Sequence, residues 1–165
     1  MKPGNPIKRN QRLQPLSRDH HQGLLFVWKI RQGLRNQVST EEMNAYAHWF
    51  WEKDLSPHFL LEEQYLLPLL PVAHPLALRM IKEHKNIREA VLSLGKESTR
   101  YDLARLSDLL EEHIRFEERE FFTYLEQHLD DDKLNKLSAL EQDHIPACEK
   151  WENEFWLITR RKNHK

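Results

Sequence analysis

The sequence predicts an all-α protein, on three observations. Glycine appears only 4 times in 165 residues, too rarely for the many tight turns of a β fold. Leucine numbers 26, against 15 for valine, isoleucine and threonine together, and β-branched residues favour strands. Helix-start residues precede four stretches of roughly 20 to 30 residues, with apolar positions at helical spacing. Short loops between such stretches predict an up-down-up-down antiparallel four-helix bundle with an additional C-terminal helix.

Residues 1–16 carry three of the eight prolines and no acidic residue, which reads as an extended N-terminal arm. Ser17 is placed to cap a first helix, which Leu24, Val27, Trp28, Ile30 and Leu34 carry to residue 36 or so. Ser39 or Thr40, followed by Glu41 and Glu42, opens a second helix reaching Leu67. Pro57 falls inside it and should kink or split it. A third helix starts at Pro75, a good first-turn residue, and ends near Gly95. The fourth runs from Ser98 or Thr99 to Leu129, completing a bundle over residues 17–129. Asp130 to Asp132 open a fifth, within a C-terminal region of residues 130–165 that ends in the basic run RRKNHK. Pro146 interrupts this helix, and Trp151, Phe155 and Trp156 would pack it on the outside or make a homodimer contact.

Composition excludes several classes. Lys plus Arg is 25 and Asp plus Glu 26, a net charge of -1, so no global field points to nucleic acid. One cysteine, Cys148, forms neither a disulfide framework nor a thiolate cluster. No apolar run approaches the ~20 residues that span a bilayer, and the start lacks the apolar stretch of a signal peptide. The expectation is a soluble, cytoplasmic protein without nucleic-acid or membrane partners.

Polar residues enter the apolar faces at recurring positions. His58 and Glu62 lie four apart on helix two, beside Leu55, Tyr65, Leu66 and Leu69, so they share a core-facing side. His113 and Glu117 repeat the arrangement on helix four among Leu106, Leu110, Phe121 and Tyr124. On helix three His84 aligns with Ala77, Met80, Ile81, Ile87 and Val91. Helix one offers His20 and His21, which project about 30° and about 130° from the mean apolar direction at 100° per residue. His20 is the inward one. With 10 His and 18 Glu, chance yields about one H-x-x-x-E pair, and this chain has three. The third, His48/Glu52, points away from the core and reads as a helix-surface contact.

Burying four imidazoles and two carboxylates without compensation costs many kcal/mol. Metal ions offset that cost, and this donor set suits Fe, Zn or Mn. Carboxylates from two helices can bridge a metal pair.

The stretches LSRDHHQGLL (16–25), HFLLEEQYLLP (58–68), EHKNIREAV (83–91) and HIRFEEREFFTYLE (113–126) together resemble the hemerythrin-like proteins with HHE cation-binding domains. The resemblance implies a four-helix bundle around a non-haem di-iron centre. Its ligands would be His20, His58, Glu62, His84, His113 and Glu117, with both glutamates bridging. Oxygen-carrying members place a second histidine one turn after the first on helix three. Here that position is Arg88, and Met80 stands one turn before, so reversible oxygen carriage is not expected.

The remaining candidates read as structural. Glu141/His144 forms one E-x-x-H, where ferritin-like di-iron bundles use two, and reads as a solvated turn. Tyr65 and Tyr124 read as core packing, and Lys8, Arg9, Arg12 and the RRKNHK run as solvated ends. Glu63, Glu118 and Glu120 should face water. The functional expectation is a di-iron protein meeting dioxygen or a related small oxidant, in oxygen or iron sensing, storage or scavenging. An oxidase or peroxidase at the same site, or an interaction module with a structural metal, are the alternatives.

Overall fold

In the computed structural model, which describes residues 8–146 and 150–157, all regular structure is helical and no strand forms among those residues. The first helix, α1, spans Gln14–Arg35, three residues earlier than the sequence suggested. Pro15 sits in its first turn, where a fixed φ and a missing N–H cost nothing, and Leu13 and Leu16 are fully buried. Ser17 is therefore inside the helix, its hydroxyl donating to Glu118 instead of capping. At the other end Gln37 takes φ 57° and Val38 N–H reaches back to the Gly33 carbonyl at 2.9 Å, a helix stop built without glycine.

The second rod joins α2 (Thr40–Phe50), a π-helical turn (Trp51–Leu55) and α3 (Ser56–Tyr65). Ser39 caps α2 by accepting from Glu42 N–H. Pro57 was expected to kink or split this rod. The α-helix is interrupted just before Pro57 by the π turn: Ser56 N–H bonds to the Trp51 carbonyl five residues back, and Pro57 falls in the first turn of α3. After α4 (Pro75–Leu92), the last rod joins α5 (Arg100–Phe116), a second π turn (Glu117–Phe121) and α6 (Phe122–His128). Thr99 and Asp102 form a capping box at its start.

Cross-links between rods run in opposite senses. From Arg9 to Leu34, partners on the last rod step down from Glu126 through Glu118 and Glu111 to Arg100. On the second rod, Asn44, His48 and Glu63 meet Gly95, Leu94 and His84. Arg79 and Glu83 meet Glu120 and His113. Neighbouring rods are thus antiparallel.

Helix follows the bundle as expected, but in short pieces. The region forms two short helices, α7 (Asp131–Asn135) and α8 (Ser138–Asp143), and a single 3-10 turn at Phe155–Leu157. Phe155 does not decorate the outside. It is fully buried, seated over Gly33, where an added Cβ would meet Met43 Sδ at 2.7 Å and Phe155 Cε2 at 2.9 Å. Trp151 and Trp156 pack on Tyr46. Cys148 and the RRKNHK run lie outside the described residues.

The apolar core has two parts. One gathers Phe26, Ile30, Phe50, Phe59, Leu106 and Leu110 towards the Phe155 end. The other gathers Leu16, Leu66, Met80, Phe121, Leu125 and Leu140 under α7 and α8. His20, His58, Glu62, His84, His113 and Glu117 fall between the two sets along every rod, so a buried polar layer divides the core. No helix among the described residues is long and apolar enough to cross a membrane.

Candidate metal centre

The six residues singled out from helical phase converge in that layer, each at most 4% exposed. They form two overlapping groups, His20, His58, Glu62 and Glu117, and Glu62, His84, His113 and Glu117, whose donor atoms lie within 4.8 Å of one another. His58 Nε2 is 2.9 Å from Glu62 Oε1, and His84 Nε2 is 3.3 Å from the same oxygen. His20 Nε2 is 3.8 Å from both Glu62 Oε2 and Glu117 Oε1, and His113 Nε2 is in close contact with Glu117 Oε1. The two glutamates thus stand at the centre and the imidazoles around them. His21 is exposed, and His48 bonds to the Leu94 carbonyl, away from the layer.

All four Nε2 atoms and all four glutamate oxygens are buried without a hydrogen-bond partner. Buried polar atoms are rarely left so. Eight of them aimed at one small volume could hold a cation, since a positive ion takes lone pairs from several such donors at once. The residues present therefore fit a metal.

The outer nitrogens are also committed. Each Nδ1 meets a carboxylate: His20 with Glu118 at 2.7 Å, His58 with Asp19 at 2.9 Å, His84 with Glu63 at 3.0 Å and His113 with Glu83 at 3.0 Å. The pairs close a ring around the bundle. The carboxylate on α1 serves α3, that on α3 serves α4, that on α4 serves α5, and that on the second π turn returns to α1. Each carboxylate is the sequence neighbour of a core donor on its own rod, so one residue faces the centre and the next reaches sideways. A carboxylate can only accept, so each imidazole donates Nδ1–H, and Nε2 is the nitrogen that faces the centre.

Electrostatics agree with that assignment. Burial opposes ionisation of Asp19, Glu83 and Glu118, but their histidine, arginine and serine partners outweigh it. At Glu63 the hydrogen bond from His84 is itself the largest effect. All four carboxyls are held below their ordinary range. In the metal-free chain, burial works against charge on His20, yet the neighbouring carboxylates of Glu117 and Glu118 raise it to about 9. For His58, burial is likewise overcome by Glu62 and Asp19, to about 10.

Several structural readings are corrected here. Glu63 and Glu118 orient His84 and His20 and do not simply face water, whereas Glu120 is exposed and pairs with Arg79. Arg9 is 8% exposed, bonding Glu126 and, at 3.1 Å, Glu118. His144 is not a solvated turn residue, because its Nε2 lies 2.9 and 2.8 Å from the two Asp19 oxygens. Asp19 and Glu83 were missed altogether. The signal was present as the doublets Asp19-His20, Glu62-Glu63, Glu83-His84 and Glu117-Glu118, but which partner each second residue reaches depends on the neighbouring rod. Tyr65 donates to Asp143 and Tyr124 stacks on His128, so neither tyrosine serves the ring. Arg88 is exposed and acts on Glu63 through its charge, while Phe59 stacks on His84 with centroids 3.8 Å apart.

The chain matches the family model described as the hemerythrin HHE cation binding domain over residues 16–125. The chain belongs to the hemerythrin HHE family. No curated protein and no solved structure shows a significant match. The family match ends at residue 125, so Arg9 on one side and His144 on the other lie beyond the HHE domain while touching its ring of carboxylates.

Proposed function

We propose that this hemerythrin HHE protein holds two iron ions and meets dioxygen or a related small oxidant, in sensing, storage or scavenging. The observation that carries the reading is the set of eight buried, unpartnered donor atoms, divided into two overlapping groups that share Glu62 and Glu117. Glu62 and Glu117 would be shared between the two ions, with His20 and His58 holding one and His84 and His113 the other. Imidazole and carboxylate donors suit iron, with Zn or Mn able to occupy the same set. A cation bound here would displace protons from His20 and His58, whose imidazoles are raised to about 9 and about 10 in the metal-free chain.

Iron bound here would supply one-electron chemistry and open positions for a small ligand. The chain's own part is to hold the imidazoles in one tautomer, exclude water and limit what reaches the centre. Support for small ligands comes from a narrow cavity beside His20, His58 and His113. Gly23, Phe50, Leu55, Leu110 and Ile114 wall it, and its room is close to that of one water molecule. At Gly23 an added Cβ would meet Ile114 Cδ1 at 2.7 Å, so this glycine lets α1 and α5 close over the cavity.

Elemental analysis and an ultraviolet-visible spectrum of aerobically purified protein test the reading. The expected result is about two irons per chain, with absorption bands of an oxidised di-iron centre, as two four-donor groups require. Fully folded protein that carries well under one metal ion after reconstitution would refute it.

A further inference from the structure

We propose that His144, in the segment beyond the HHE domain, is a positioning residue for one of the two metal positions, acting through Asp19 on His58. The inference rests on the metal-binding reading above. His144 Nε2 stands 2.9 and 2.8 Å from the two Asp19 oxygens, and Asp19 Oδ2 stands 2.9 Å from His58 Nδ1. An ionised carboxylate only accepts, so both imidazoles donate to it and Nε2 is the His58 nitrogen turned inward. A carboxylate held by one hydrogen bond still turns about its broad terminal torsion. The second donor removes that freedom and fixes the plane in which His58 sits.

The ring of His144 is itself well anchored. The backbone N–H of His144 bonds to the Leu140 carbonyl at 2.8 Å, closing α8. Leu134, Leu137 and Leu140 are buried against the bundle, Asp143 accepts from Tyr65, and the His144 side chain is 11% exposed.

The outer supports are unequal between the two donor groups. For the group holding His84 and His113, Glu83 is held by Arg79 at 2.7 Å from within the HHE domain. For the group holding His20 and His58, the orienting carboxylates are held from both flanks, Glu118 by Arg9 and Asp19 by His144. Loss of His144 should therefore be felt at one position and not at the other.

The test is a Co(II) titration of metal-free, full-length protein, read by visible absorption, with circular dichroism of each variant. A residue orienting a ligand directly changes metal affinity by about 10–100-fold. One step further out, His144→Ala should weaken one Co(II) by about three- to tenfold and alter its ligand-field band. The other ion should bind as in the unmodified chain. His144→Gln, whose amide can still donate to Asp19, should recover most of the affinity and the band. Tyr65→Phe, which removes a contact of the same segment without touching Asp19, should bind both ions normally. Unchanged affinity and spectrum in His144→Ala would overturn the proposal. So would equal weakening of both ions, failure of His144→Gln to recover anything, or the same change in Tyr65→Phe. An unmodified chain that binds no Co(II) would instead overturn the metal-binding reading.

Discussion

Replacing Glu118 with glutamine probes the ring of carboxylates at a member that sequence periodicity assigns to solvent. Its Oε1 accepts from His20 Nδ1 at 2.7 Å and from Ser17 Oγ at 2.6 Å, while Oε2 lies 3.1 Å from Arg9. Glutamine keeps the size but loses the charge, and one of its two ends becomes a donor. With the amide nitrogen towards Arg9, two donors meet in a half-buried site. With the nitrogen towards His20, the imidazole must accept at Nδ1, which puts a proton on Nε2 where the metal should be. Both arrangements weaken metal binding. Orienting groups of this kind change affinity by about 10–100-fold, or about 1.4–2.8 kcal/mol. The assay is chelator competition for Zn(II) on metal-free protein, with circular dichroism to confirm the helices. Glu120→Gln, exposed and paired with Arg79, is the matched control and should change affinity less than about twofold. Equal affinities for the two variants would refute the orienting role of the ring.

Four further outcomes are expected. His20→Ala should lower iron occupancy far more than His21→Ala, since only His20 is buried in the layer; equal losses by elemental analysis would refute its place among the ligands. In the metal-free chain the imidazoles of His20 and His58 are raised to about 9 and about 10, so at pH 7 they hold protons that a cation must displace. Metal affinity should therefore rise between pH 6.5 and 9 with measurable proton release, while metal-free stability, complete below about 6.5, should fall as pH climbs through those values; calorimetry in two buffers and melting curves check both signs. Gly33→Ala should cost about 1–3 kcal/mol by overpacking against Met43 and Phe155, seen as a lower Tm with metal stoichiometry intact. Reduced, iron-loaded protein should oxidise directly in air and then bind azide, because the exposed Arg88 offers no lone pair to replace a fifth imidazole; a long-lived oxygen adduct, reversible under vacuum, would refute this.

Helix phase was legible because it is local. The apolar residues around His58, His84 and His113 set the inward direction at 100° per residue, although Ile81, placed in line with His84, is exposed, and an i,i+4 glutamate must share the face of its histidine. Pro57 illustrates the limit of that reasoning. It signals a break in regular α geometry, yet whether the chain kinks, splits or inserts a π turn depends on what the adjoining rods pull into register. Here the first π turn ends at Leu55, beside His58, and the second begins on Glu117 itself. Those are the places where a one-residue phase shift re-aims side chains.

The sequence by itself determined the helical class, the four main rods and the six residues of the central layer, since each follows from spacing along one helix. Only the tertiary structure decided what surrounds them. Glu63 and Glu118 lie off the apolar face, where an isolated helix would give them to water, and become half-buried partners because a neighbouring rod brings an imidazole within 3.0 Å. Arg9 and His144 reach the same ring from 109 and 125 residues away along the chain from their partners. Phe155 seats over Gly33 only once α1 and α2 have come together to form its socket. Periodicity reports which way a residue points from its own axis. What it meets there is set by packing between rods, and no local pattern carries that information.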